Sequence, residues 1–124
     1  MIVDHAKQRR FARLPVNLTG QATFSAELAT LDPSRIFPVD IRNVSRGGLA
    51  ITLSADEVLR QDVDYRKVLR VRFTADDGEN KVVAARVVWF RPDSGLIAVG
   101  LELLDEAIHD AFHAWVDRLD TARC

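Results

Sequence analysis

Asp40-Ile41-Arg42-Asn43-Val44-Ser45-Arg46-Gly47-Gly48-Leu49-Ala50-Ile51 is the stretch from which the rest of the chain is read. An apolar strand enters a polar corner, passes two glycines and leaves as a second apolar strand. The corner carries an amide, a hydroxyl and a guanidinium within four residues, beside glycines that ease a tight bend. One Asn-Gly pair would make such a turn with fewer polar groups. The surplus suggests a contact with something outside the chain. Asn43 and Ser45, two apart, are expected on one side of the strand. A turn whose Asn and Ser satisfy their own backbone is the commoner arrangement, and the corner by itself leaves both readings open.

Moving outward, Val39, Ile41 and Val44 belong to the strand entering the corner, and Leu49 to Leu53 to the one leaving it. Upstream, Leu28 to Pro38 holds Asp32-Pro33-Ser34 and reads as a loop. Before it, Val16, Leu18, Ala22, Phe24 and Ala26 alternate with polar residues around Gly20, a half-buried strand with a bulge there. Residues 1–13 are polar and basic without periodicity, and read as a flexible N-terminal arm.

Downstream, Ser54 and Glu57 have capping-box spacing ahead of a short helix. Leu69, Val71 and Phe73 alternate with Arg70, Arg72 and Thr74, a strand with one wet face. Asp77-Gly78 turns it back into the β-branched run Val82 to Phe90. Pro92-Asp93-Ser94-Gly95 makes a further turn, and Leu96 to Leu104 returns. The period then changes. Ile108, Ala111, Phe112, Trp115 and Leu119 form one helical stripe, with Asp105 as N-cap and Glu106 favourable to the dipole. Six antiparallel strands without a partner sheet bury their apolar face best by closing on themselves. The expectation is an all-β fold with a C-terminal α-helix. A basic arm occupies residues 1–13, a six-stranded antiparallel β-barrel 14–104, and a helix packed on the barrel 105–121.

The 124 residues suit one domain, and their 48% hydrophobic and 28% charged content is that of a globular protein. Net charge is −1, so no global field draws the chain to a nucleic-acid polymer. The charge is uneven: residues 1–46 carry +3 and the remainder −4, so an anion would prefer the front half. The single cysteine, Cys124, allows no internal disulfide and suits a reducing compartment. No apolar leader opens the chain, and the run Leu96–Leu101 is too short to span a bilayer. A cytoplasmic protein without membrane insertion is expected. The sequons Asn17-Leu18-Thr19 and Asn43-Val44-Ser45 then carry no glycan.

Candidate chemistry is sparse. Lys7-Gln8-Arg9-Arg10-Phe11-Ala12-Arg13 places three guanidiniums in five residues, groups that fork onto phosphate or onto the O6/N7 edge of guanine and stack on flat rings. A solvated basic tail is the plain alternative. His109 and His113 have the i, i+4 spacing of zinc ligands, but without a third ligand they read as a solvated helix flank. Asp76-Asp77 is turn chemistry. Trp89, Phe90, Phe112 and Trp115 sit at core-like spacings. No phosphate-binding glycine loop, nucleophile elbow or metal cluster is present, so no catalytic residue, metal or cofactor is assigned.

Arg9-x-x-x-Arg13, followed about thirty residues on by Asn43-x-Ser45-x-x-Gly48, resembles the PilZ domain family, whose motifs are RxxxR and [D/N]xSxxG. Both are matched in full. The doubled Arg9-Arg10, Pro15, Gly47-Gly48-Leu49, Arg86-Val87-Val88-Trp89 and Val99-Gly100-Leu101-Glu102 are similar to the family as well. The resemblance runs from about Gln8 to Leu119. It implies a six-stranded barrel that binds cyclic di-GMP, a bacterial second messenger with two guanines and two phosphates. Arg9 and Arg13 would engage phosphates and the guanine edge, with Arg10 adding a phosphate or stacking contact. Asn43 and Ser45 would contact guanine, Gly48 would allow close approach, and Arg46 and Gly47 complete the ligand-binding corner. The family often has Asp where this chain has Asn43. Gln8 precedes the first arginine, at the position linked in the family to one or two bound ligands.

The implied function is a non-enzymatic cyclic di-GMP receptor whose arm folds over the ligand and signals to an unidentified protein effector in motility, exopolysaccharide or secretion control. The alternative is an adaptor of the same fold that ignores nucleotide. A small oligonucleotide-binding barrel would need aromatics on the wet face, where Arg70, Arg72 and Thr74 stand instead.

Overall fold

The computed structural model describes residues 13–23, 36–61, 68–104 and 109–123. Six strands, β1 (Leu14–Thr23), β2 (Phe37–Ser45), β3 (Gly48–Ser54), β4 (Val68–Thr74), β5 (Asn80–Asp93) and β6 (Leu96–Leu103), are joined by a short helix α1 (Ala55–Gln61) and followed by α2 (Asp110–Arg123). Every pairing is antiparallel, and the strands close in the order β1-β2-β3-β6-β5-β4. Closure removes both sheet edges, as six strands with one apolar face require. The inward side chains, among them Ile41, Val44, Ile51, Val71, Val83 and Val99, are fully buried.

The local signals in the sequence work as they should. Ser54 Oγ accepts the Glu57 backbone N–H at 3.1 Å, which caps α1. Asp77 Oδ1 accepts Glu79 N–H at 2.9 Å across the β4–β5 hairpin. The bulge expected near Gly20 lies instead between Pro15 and Leu18, where the β1–β2 register shifts. Phe24 and Ala26 lie outside the described residues.

Helix α2 closes one end of the barrel. Phe112, Trp115 and Val116 are buried, Leu119 is half-buried and Ala111 is exposed, so the apolar stripe is rotated from the expected one toward Val116. Phe73 of β4 anchors it, with ring centroids 5.4 Å from Trp115 and 6.4 Å from Phe112. The indole N–H of Trp115 donates to Asp76 at 2.7 Å, and Arg118 donates to Asp77 at 2.9 Å. The acidic pair thus joins the hairpin to the helix besides shaping the turn. Lys81, buried beneath it, keeps its charge solvated by Asp77 and Glu79 at 3.1 and 3.3 Å. The described helix starts at Asp110, and the cap residues Asp105 and Glu106 lie outside the described residues.

Candidate functional site

Two bulges build the candidate site. In β2 the register with β3 shifts between Ile41 and Asn43, with Arg42 as the extra residue. Strict alternation would carry Asn43 and Ser45 inward with Ile41. The extra residue resets the phase, so Val44 points inward and Asn43 and Ser45 stand half-buried on the outer wall. In β5 the register with β6 shifts between Val87 and Trp89, with Val88 as the extra residue. Val87 stays in the core, Val88 is exposed, and Trp89 emerges on the outside.

Across the wall the two strands meet in register. Asn43 pairs with Ala50, Ala50 with Gly100, and Gly100 with Trp89. This rung has an amide at one end, an indole at the other and the two smallest residues between. The next rung runs Ser45, Gly48, Glu102, Arg86. The indole of Trp89 lies across Gly100 so closely that a Cβ there would collide with its Nε1. Arg91 stacks on the same indole at 5.1 Å from the ring centroid. The expectation that Trp89 is a core residue is therefore corrected: the Val88 bulge turns it outward. A Cβ at Gly48 would strike the carbonyl oxygen of Leu101, so glycine at this position lets β3 close against β6.

The wall forms the floor of an open concavity of about 970 Å³. That is near the top of the roughly 300–1,000 Å³ common for small-molecule sites. Arg13, Asn43, Ser45, Arg46, Gly47 and Gly48 all line it. Trp89, Glu102, His109 and His113, which the sequence reading left out of the site, line it too. Among the described residues the Asn43 side-chain amide makes no hydrogen bond. The Ser45 hydroxyl donates to Gly48 O at 3.4 Å, at the long end of a useful bond. Arg9 and Arg10 lie outside the described residues.

Helix α2 is the side wall. His113 Nε2 donates to the carbonyl oxygen of Arg46 at 3.0 Å, and Asp117 faces the Arg46 guanidinium at 3.7 Å. Leu103 N–H donates to Gly47 O at 2.9 Å, so β6 holds the other side of the turn. His109 is buried, and its Nε2 accepts the backbone N–H of Ala84 at 3.2 Å. The solvated flank expected for both histidines is thus corrected for His109, which occupies a strand N–H next to the end of β6. Burial, and then the neighbouring His113, hold the His109 imidazole below its ordinary value of 6.5. Glu102 pairs with Arg86 at 3.4 Å. Among the described residues no group of three or more His, Cys, Asp or Glu is placed to hold a metal ion. No described helix is long and apolar enough to cross a membrane.

A family model described as the PilZ domain matches residues 7–118. No curated protein matches the sequence. Among solved structures, that of the inhibitor of motility MotI/DgrA from Bacillus subtilis superposes with a TM-score of 0.69 at 18% identity, over 93% of this chain and 51% of that one. This chain therefore spans about half the length of that neighbour. The PilZ domain with c-di-GMP of YcgR from Escherichia coli gives 0.61 at 9% identity, over 94% of each chain. The Borreliella burgdorferi PlzA protein in complex with c-di-GMP gives 0.57 at 13% identity, over 98% of this chain and 55% of that one. At these identities the likeness is one of fold.

Proposed function

The chain belongs to the PilZ domain family, and from that premise we propose that it is a non-enzymatic receptor for cyclic di-GMP that passes the signal to a partner protein. The observation that carries this is the convergence of Arg13, Asn43, Ser45 and Arg46 on one concavity floored by Gly100 and the Trp89 indole. A dianion with two flat bases needs guanidinium forks, a stacking surface and a few directed polar groups. Arg13 and Arg46 supply the first, Trp89 the second, and Asn43 and Ser45 the third. The Asn43 carbonyl accepts from guanine N1–H or N2–H, without the charge that an aspartate would bring. Two neighbours of the same fold carry c-di-GMP, which supports the ligand class. In this reading the segment bearing Arg9 and Arg10 orders over the phosphates, and the surface so formed is what the partner reads.

Calorimetry with cyclic di-GMP tests it. Wild type should give saturable heat at micromolar ligand. Arg13→Ala should weaken binding about tenfold or more, the loss of charge-assisted contacts of ~1.5–3 kcal/mol, and Asn43→Ala combined with Ser45→Ala about tenfold, the loss of two neutral hydrogen bonds of ~0.5–1.5 kcal/mol each. The double variant should melt as wild type does, since both side chains stand outside the barrel. Absence of heat from wild type, or undiminished binding by Arg9→Ala and Arg13→Ala, rejects the reading. A nucleotide-independent adaptor is the second reading, favoured by the hydroxyl of Ser45 already donating to Gly48 O. It predicts a partner retained equally with and without nucleotide.

A further inference from the structure

His109, just before α2, and His113, one turn on, have ring centroids 6.1 Å apart, yet they are bonded in opposite senses. His109 Nε2 accepts the Ala84 N–H, so that nitrogen carries no proton and the ring is neutral with its hydrogen on Nδ1. Adding a proton to Nε2 would break the bond and charge a buried ring. His113 Nε2 donates to Arg46 O, so that nitrogen carries its hydrogen already. Adding a proton at Nδ1 leaves the bond in place, on a half-buried ring that lines the concavity. Of the two, His113 alone can change charge without losing its partner.

Resting on the reading of the concavity as a cyclic di-GMP site, we propose that His113 is a proton-linked wall of that site: binding of the dianion draws a proton onto its imidazole, so that α2 as well as the corner presents positive charge to the phosphates. The surroundings fit. From the residue before β1 and from the corner, Arg13 and Arg46 face the concavity, and both oppose a further positive charge until an anion arrives. From β6, Glu102 is engaged by Arg86 at 3.4 Å. On α2 itself, Asp117 is engaged by Arg46 at 3.7 Å and Asp110 lies one turn earlier and exposed, while His109, just ahead of the helix, stays neutral. Two ligand charges entering this set favour the protonated imidazole. By linkage, affinity then rises as pH falls through the range in which imidazole titrates.

The test is calorimetry on the full chain with cyclic di-GMP at pH 6.0 and 8.0, each in two buffers of different ionisation enthalpy. Wild type should bind about fivefold tighter at pH 6.0 and take up part of a proton per ligand near neutrality. His113→Gln keeps an N–H for Arg46 O. It should lose the uptake and bind within about twofold at the two pH values, near the wild-type affinity at pH 8.0. His109→Gln should keep the uptake. Imidazole NMR titration of wild type, with and without ligand, reads the same protonation at His113 should the variant fail to fold. Saturable binding without proton uptake, or uptake that survives in His113→Gln, overturns the inference while the receptor reading stands. Absence of binding at both pH values overturns both.

Discussion

Strands β4 and β2 flank β1 and cover the same core, and they differ by one residue. In β4, Leu69, Val71 and Phe73 are buried while Arg70, Arg72 and Thr74 face outward, without a break. In β2 the same alternation runs to Ile41, pauses for Arg42, and resumes with its faces kept by Val44 inside and Asn43 and Ser45 outside. The regular strand is a plain wall. The interrupted strand carries candidate ligand groups, and β5, interrupted at Val88, carries the other one, Trp89. Concave outer surface on a small barrel therefore comes from broken periodicity: the bulges bend the wall and aim side chains across Gly100.

Deletions break this contrast most sharply. Removing Arg72 from β4 sends Phe73 outward and strips its contacts with Phe112 and Trp115. The loss should exceed about 3 kcal/mol, comparable to truncating a buried Phe, and leave little folded protein. Removing Arg42 leaves Ile41 and Val44 inward and Asn43 and Ser45 outward. That variant should stay cooperatively folded in urea, though with a straightened corner and weaker nucleotide binding. If both deletions unfold the chain equally, Arg42 is not the phase-setting residue.

The next effect separates the two histidines by pH. His109 is held below 6.5 in the folded chain, so the unfolded chain binds a proton that the folded chain refuses. Its contribution to stability is complete above about pH 6.5 and is lost as pH falls from there through the lower folded value. Urea midpoints of wild type should decline over that window. In His109→Gln, whose amide oxygen can still accept from Ala84 N–H, that decline should be absent. An unchanged slope would mean that the ring is solvated.

Much of this was legible in the residues. Strict alternation in Leu69–Phe73, the Asp77-Gly78 turn and the capping box at Ser54 are local signals, and they gave the strands, their order along the chain and the short helix. The polar corner stood out because its groups exceed what a turn needs. Trp89 was not legible as an outward group. It ends a β-branched run, and a one-residue bulge changes neither composition nor hydropathy, so period two carried it into the core. His109 escaped for another reason: its partner, the Ala84 N–H, lies 25 residues away and is available only beyond the β5–β6 ladder. Gly48 was legible as necessary, but its cause, the Leu101 carbonyl, is a tertiary contact.

The smallest effect probes how the helix touches the corner. Arg46 and Asp117 face each other at 3.7 Å with about half of each side chain exposed. Exposed pairs of this kind contribute about 0–1 kcal/mol, since water screens them and two long side chains must be held in place. Asp117→Asn should therefore move the urea midpoint by less than the equivalent of ~0.5 kcal/mol. The same change should act in the opposite sense on the ligand, because a carboxylate beside Arg46 competes with phosphate for that guanidinium. Nucleotide binding should tighten by about twofold at low salt, and the gain should fade as ionic strength rises and the Debye length shrinks. A salt-insensitive gain would point to a shift of α2 rather than to charge. No gain at all would place Arg46 outside the ligand's reach and leave Arg13 as the phosphate contact among the described residues.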